Sequence, residues 1–131
     1  MADRPRLLST TPLLVVSNLQ QSIIFYCSKL GFREPNAWGE PPCFAMMNRD
    51  NFDLMLSLAE KPEYVRPHGV FGVWDMYLKV PDLQAEIAAL QAKGVTLARG
   101  PEKTFYDMLE IEVIDPDGHR ICIGQEVSPG S

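Results

Sequence analysis

The strongest constraint on this chain is that it repeats itself. The segment Val16-Ser17-Asn18-Leu19-Gln20 returns as Val80-Pro81-Asp82-Leu83-Gln84, Ile23 returns as Ile87 and Lys29 as Lys93, all at an offset of about 64 residues. An offset that keeps helix-start chemistry in phase marks a duplicated structural unit. Two such units fill a chain of 131 residues. The repeat therefore predicts one domain whose single core is built from two similar halves, with no room for a second ordinary domain.

Each half reads in the same order. Residues 11–16 are β-branched and apolar, and Pro12 suits the start or edge of a strand. Asn18 offers an N-cap with Gln21 three residues on; Leu19, Ile23, Tyr26, Cys27 and Leu30 follow at helical spacing, and Gly31 can close the helix. Residues 32–58 break into short extended runs, of which 43–47 and 52–58 flank the polar Asn48-Arg49-Asp50-Asn51. Residues 59–72 carry Pro62, Pro67, Gly69 and Gly72 without periodicity and read as a loop. In the second half residues 75–80 alternate, Asp82 caps a stripe of Leu83, Ile87 and Leu90 that ends at Gly94, and 95–98 and 108–114 read as extended. The tight turn Asp115-Pro116-Asp117-Gly118 leads into a last strand at 120–124. The expected layout is a loose lead-in at 1–9, one domain over 10–127 and a tail at 128–131, the domain comprising a first module at 10–60, a linker at 61–73 and a second module at 74–127.

Composition removes several classes of function. Seventeen acidic residues against twelve basic ones give a net charge of −5, the wrong sign for a phosphate backbone without a local basic patch, and no such patch is present; nucleic acid is not an expected partner. No apolar run approaches the roughly 20 residues that cross a bilayer, and the N-terminus lacks a signal-peptide pattern, so no membrane association is expected. Cys27, Cys43 and Cys122 are an odd set without a CxxC. They indicate neither a disulfide framework nor a zinc knuckle and suggest a reducing, cytoplasmic compartment. The two histidines, His68 in the loop and His119 at the tight turn, read as polar surface.

The combination of Leu14-Val15-Val16-Ser17-Asn18-Leu19 with Ser22, Phe25-Tyr26, Leu30-Gly31-Phe32 and Asp115-Pro116-Asp117-Gly118-His119-Arg120-Ile121 resembles the vicinal oxygen chelate superfamily. That superfamily includes glyoxalase I, the bleomycin-resistance proteins, fosfomycin-resistance enzymes and extradiol dioxygenases. The resemblance runs over roughly residues 10–126 and implies an α+β fold: two β-α-β-β-β modules form a curved mixed sheet around a cleft, usually completed in a homodimer. It implies no single chemistry, because the superfamily spans lyases, transferases, dioxygenases and binding proteins. Matched motif to motif, its metal-ligand positions fall on Thr11, Met55, Asp75 and Cys122, where metal-dependent members supply His, Gln or Glu. Threonine and methionine suit hard or borderline divalent ions poorly, so no metal or other cofactor is expected.

Strand parity gives a cleft face without reference to any family. With the apolar alternation turned toward the helices, Thr11, Leu13, Val15, Asp53, Met55, Ser57, Asp75, Tyr77, Lys79, Glu110, Glu112, Arg120 and Cys122 turn away from them, a mixed face with most of its charge in the second module. Asp75 reads as a residual metal ligand, a base or an anion for a cationic ligand, or else as a strand-start residue paired with Lys79 or Arg120. Glu110 and Glu112 suit acid–base work if their pKa values separate, or else form a solvated face with Glu112 paired to Arg120. Cys122 is a thiolate only if something activates it, and is otherwise an inert buried side chain. Trp38, Trp74, Tyr77, Phe105 and Tyr106 suit a flat, cationic or amphipathic small molecule, or else ordinary packing. The expected binding cleft is Thr11, Trp38, Met55, Trp74, Asp75, Tyr77, Tyr106, Glu110, Glu112, Arg120 and Cys122, with no catalytic residue assigned. The expected function is metal-free sequestration of a small-molecule ligand in a homodimeric cleft, in the manner of antibiotic-resistance binders. The alternative is a lyase, isomerase, dioxygenase or transferase of the same fold using cleft carboxylates or an atypical metal site.

Overall fold

Proline has no N–H to give to a ladder, and the first strand begins just after Pro12 rather than at Thr11: β1 spans Leu13–Val16. The Pro12 carbonyl still accepts from the Met55 amide at 3.0 Å. The structure, a computed structural model, describes residues 4–128, so the lead-in read at 1–9 and the tail read at 128–131 lie partly outside the described residues. After β1 come α1 (Leu19–Ser28), β2 (Arg33–Trp38), β3 (Phe44–Arg49) and β4 (Phe52–Leu58). The second half supplies β5 (Met76–Lys79), α2 (Leu83–Ala92), β6 (Arg99–Lys103), β7 (Met108–Ile114) and β8 (Arg120–Glu126). The intervening loop holds two short 3-10 turns, Pro62–Tyr64 and His68–Phe71. Neither helix is long and apolar enough to cross a membrane.

The duplication is visible in the caps. Asn18 accepts from the Gln21 amide at 3.0 Å and Asp82 accepts from the Ala85 amide at 3.1 Å, each satisfying one orphan donor of its helix. Each half then forms a four-stranded mixed sheet in the same order, β1-β4-β3-β2 and β5-β8-β7-β6, with β1 parallel to β4 and β5 parallel to β8. The edge strands also match: β2 shifts register between Arg33 and Asn36, and β6 between Arg99 and Glu102. The fold is α+β, two βαβββ modules, as the repeat and the resemblance imply.

Two local expectations differ from the structure. Residues 95–98 are not a strand; Val95 and Leu97 pack against the core as irregular chain, and pairing begins only where the Ala98 amide reaches the Glu112 carbonyl at 2.7 Å. His119 is not polar surface but 3% exposed. A short apolar run and a turn histidine carry no local mark of these outcomes; both follow from what the second module packs against.

Leu14, Val16, Leu54 and Leu56 of the first sheet join Met76, Ile111, Val113, Ile121 and Ile123 of the second in one core with both helices. Within it lies a polar latch between the modules. Tyr26 of α1, fully buried, donates its hydroxyl to Asp115 Oδ2 at 2.7 Å, and His119 Nδ1 lies 2.8 Å from the same oxygen. Asp115 Oδ1 accepts the Asp117 and His119 amides at 2.9 and 2.8 Å, while Asp117 reaches back to the Ser17 amide at 3.1 Å. A buried carboxylate is tolerated only when its lone pairs are filled, and here four donors fill them.

Burial alone would lower the His119 pKa, but the hydrogen bond and charge of Asp115 outweigh it and raise the value above 6.5. A raised folded-state value means that this pairing stabilises fully below the unfolded value and fades as pH rises through the folded one. Urea midpoints measured from pH 6 to pH 9 are expected to fall in the wild type relative to His119→Gln. Parallel profiles would contradict the latch.

Candidate functional site

The faces turned away from the helices differ in chemistry although the scaffold is repeated. Cross-strand register sets Leu13 beside Met55, Met55 beside Met46, and Phe44 beside Trp38 and Ser57. This row of the first face is apolar and partly open, with Leu13 and Trp38 each 49% exposed, while Asn36 opposite Met46 and the bonded Asn48–Asp53 pair make the rest of the face polar. On the second sheet the corresponding rows set Tyr77 beside Cys122, Cys122 beside Glu112, Glu112 beside Arg99, and Gly124 beside Glu110. Ions have replaced the apolar side chains.

The second face is a closed network of paired charges. Arg99 donates through Nε to Glu112 at 2.6 Å and through Nη2 to Glu110 at 2.8 Å, and Arg120 Nη1 donates to the other Glu112 oxygen at 2.6 Å. Trp74 gives its indole N–H to Glu112 at 3.0 Å; the hydroxyls of Tyr77 and Tyr106 donate to Glu110 at 3.0 and 2.7 Å. Glu110 is completely buried and Glu112 nearly so. An unpaired buried carboxylate costs several kcal/mol, so this surround is what allows two of them on one sheet face.

Two glycines make the network possible. Gly100 takes a left-handed φ of +88° in the β6 bulge, where a Cβ would lie 2.2 Å from the Glu110 carbonyl. The bulge brings Arg99 and Glu102, three apart in sequence, opposite Glu112 and Glu110 on the same face, and Arg99 Nη1 is 3.4 Å from Glu102. At Gly124 a Cβ would lie 1.9 Å from the Tyr77 hydroxyl. Its bare backbone leaves the space through which that hydroxyl reaches Glu110.

The titration pattern follows from these contacts. Burial pushes both glutamates up, but hydrogen bonds from Tyr106, Arg99 and Tyr77 pull Glu110 below 4.5, and those from Arg120, Trp74 and Arg99 do the same for Glu112. The pair moves in one direction, unlike an acid and base whose values are driven apart. Burial and the neighbouring Glu110 charge push the Cys122 thiol up to about 12, away from thiolate chemistry. Tyr106 is likewise pushed up to about 12 by burial and its bond to Glu110.

Of the residues expected at the cleft, the structure brings Trp74, Tyr77, Tyr106, Glu110, Glu112, Arg120 and Cys122 together on the second sheet. Thr11, Trp38 and Met55 belong to the first module. Asp75 pairs with neither Lys79 nor the Arg120 side chain. Its oxygens accept backbone N–H groups of His68 at 2.7 Å, Gly69 at 3.1 Å and Arg120 at 2.8 Å, tying the second 3-10 turn to the start of β8. Arg99 falls outside the sequence expectation because the pattern places the extended run at 95–98 and no strand over 99–103, where β6 lies; Gly100-Pro101 is the local signal of the bulge. A cavity of about 440 Å³ lies elsewhere, by the C-terminal ends of α1 and α2, where Lys29, Arg49, Glu86 and Lys93 help line it. Arg49 is already bound there to Glu86 and the Leu30 carbonyl.

A divalent metal at the positions the fold family uses would meet a threonine, a thioether, a carboxylate filled by three amides and a thiol held in its protonated form. This donor set does not fit such an ion. Among the described residues no group of three or more His, Cys, Asp and Glu side chains converges as a metal site.

These paired modules, each with a helix on one face of a mixed sheet and an open face on the other, define a class of protein seen in many solved structures. Residues 6–123 match the family model described as Glyoxalase/Bleomycin resistance protein/Dioxygenase superfamily, and the chain belongs to that superfamily. No curated protein matches it. Among solved structures it is similar to TnmS3, an antibiotic binding protein from Streptomyces sp. CB03234, at 24% identity and a TM-score of 0.69, covering 94% of this chain and 100% of that one. UcmS2 gives 23% identity and a TM-score of 0.70, covering 93% and 98% of the two chains. A glyoxalase/bleomycin resistance protein/dioxygenase from Nocardioides gives 19% and 0.68, covering 100% and 89%. At these identities the likeness concerns the fold.

Replacing Gly124 by alanine is expected to expel the Tyr77 hydroxyl from Glu110 and destabilise the protein by about 1–3 kcal/mol. Tyr77→Phe removes the bond and keeps the ring, so its loss is expected to be the smaller one, the added Cβ of Gly124→Ala also meeting Tyr77 Cζ at 2.7 Å. An unchanged denaturation midpoint in Gly124→Ala would contradict the packing described.

Proposed function

We propose that this chain is a small-molecule-binding protein that holds its ligand on the open face of the second sheet, without a metal. The observation that carries the reading is the saturation of Glu110 and Glu112. Each has its charge fixed by arginine and by aromatic N–H or O–H donors, so the most buried polar groups of the face build a rigid floor and have no proton to exchange near neutral pH. The aromatic rings stand around this floor, Trp74 and Tyr77 with centroids 5.0 Å apart and the Phe105–Tyr106 pair likewise at 5.0 Å. A preorganised polar base flanked by aromatic walls is the composition of a ligand pocket.

The floor lacks a roof within one chain's second sheet, and the opposite chemistry of the first sheet's face supplies a candidate. In a homodimer, Leu13, Phe44, Trp38 and Met55 of one copy would cover the ionic floor of the other, burying apolar surface that now faces solvent and enclosing two equivalent clefts. TnmS3, a structural neighbour named for antibiotic binding, is consistent with sequestration of such a compound, and the cytoplasm is the compartment that three unpaired cysteines fit.

A thermal-shift panel of flat aromatic compounds tests the reading. Ligand at a hundredfold excess over its Kd adds about 2.7 kcal/mol, which raises Tm by several degrees. The stabilisation should vanish in Trp74→Ala. In solution the mass should be twice the 14.7 kDa chain, and Leu13→Asp should give monomers that no longer respond to ligand. A monomeric wild type that binds normally would remove the shared cleft, and turnover of the bound compound would replace binding with catalysis.

A further inference from the structure

The loop between the modules carries prolines and glycines without periodicity, yet its second 3-10 turn, His68–Phe71, is tightly held. The Asp75 carboxylate accepts the His68 and Gly69 amides from the turn and the Arg120 amide from β8, and His68 Nδ1 lies 3.2 Å from the Trp74 carbonyl. Gly69 sits so close to the neighbouring tight turn that a Cβ there would lie 2.2 Å from the Gly118 carbonyl. The Gly72 amide bonds back to the Gly69 carbonyl at 3.0 Å and the Val73 amide to His68 at 3.2 Å. The turn is a fixed projection from the second module.

Fixed as it is, the turn holds its apolar side chains out to solvent. Val70, Phe71 and Val73 are 67%, 80% and 56% exposed, three apolar side chains within four residues. Apolar residues scattered singly over a surface need no partner, but a contiguous cluster marks a contact surface. A turn that is already ordered also escapes the cost of ordering when it docks. The cluster adjoins the ligand floor. A Cβ at Gly69 would lie 3.3 Å from Arg120 Cβ, and the chain runs from the turn directly into Trp74; Arg120 and Trp74 both bond to Glu112.

Area decides what covers it. A stable contact between proteins buries about 800 Å² on each partner. The roof of Leu13, Phe44, Trp38 and Met55 has no side chain more than half exposed, and such a row supplies roughly 300 Å². A second copy seated on the floor must therefore reach further. The exposed turn supplies roughly as much apolar surface again, beside the floor that the second copy covers. We infer that the 68–73 turn is a docking element for a second copy of this chain, in which Phe71, flanked by Val70 and Val73, packs against the first module of the copy whose apolar row roofs the floor. Two-fold symmetry makes the contact twice in each dimer. The inference rests on the reading of a cleft shared between two copies, and adds to it the element that anchors them.

Sedimentation of the full chain over a concentration series tests it. The wild type is expected to dimerise, and Phe71→Ser to raise the dimer dissociation constant by about a hundredfold, because truncating a central aromatic anchor costs about tenfold or more and each dimer carries two. Val70→Ser removes less apolar surface and is expected to weaken the dimer in the same direction by less; it decides the matter even if Phe71→Ser does not fold. Phe52→Ser removes a phenylalanine 75% exposed at the start of β4 and is expected to leave the constant unchanged. A dimer as tight in Phe71→Ser and Val70→Ser as in the wild type, or one weakened equally by Phe52→Ser, overturns the inference and leaves the shared cleft standing. Loss of ligand stabilisation in Phe71→Ser with the dimer intact makes the turn a wall of the cleft and overturns the inference likewise. A wild type that stays monomeric overturns the shared cleft, and the inference with it.

Discussion

Two carboxylates can be buried side by side on a β-sheet only if cations are built in with them. Arg99, bridging Glu110 and Glu112, is the interaction on which the rest of the second face depends. It requires the β6 bulge at Gly100, which turns Arg99 onto that face; it shares one Glu112 oxygen with Trp74 and leaves the other to Arg120 and the second Glu110 oxygen to Tyr77 and Tyr106. Take Arg99 away and Glu110 loses the guanidinium that faces it and is left with two tyrosine hydroxyls, while Glu112 keeps Arg120 and Trp74.

The same logic explains how a duplicated scaffold acquires direction. Caps, strand order, bulges and helix-side core repeat from one module to the next, while the outward faces have diverged, the first keeping an apolar row among uncharged and polar side chains and the second carrying ion pairs. The modules are joined in the core by the Tyr26–Asp115–His119 latch, so the duplicated half is fixed against its mate by a buried polar contact as well as by packing. In the proposed homodimer unlike faces would meet twice, which neither module could do with a copy of itself alone.

Much of this was legible in the sequence. The 64-residue offset, the caps at Asn18 and Asp82 and the alternation of Leu54 and Leu56 or Ile121 and Ile123 are local signals tied to local geometry, and they gave the modules and the sorting of faces. Glu110, Glu112, Arg120, Tyr77 and Cys122 followed from parity. Arg99 did not, because the short apolar run at 95–98 draws the expected strand ahead of the polar stretch Arg99–Lys103 that actually pairs, and Gly100-Pro101 marks the bulge without saying which side chain it turns inward. Asp75 and His119 were misjudged in role for a related reason: what fills a carboxylate or buries an imidazole is decided by chain segments distant in sequence. His119 reaches Asp115 within its own turn, yet it is Tyr26, far away in α1, that closes over the pair.

In the proposed function the charges of this face belong to the protein's own binding floor and do not await a metal. Elemental analysis of the chain, purified without chelator and without a metal-loading affinity tag, tests it most directly. A metal-free floor gives well under about one divalent ion per chain and ligand stabilisation that is the same before and after chelator treatment. About one tightly held ion per chain, whose removal abolishes ligand stabilisation, would contradict it.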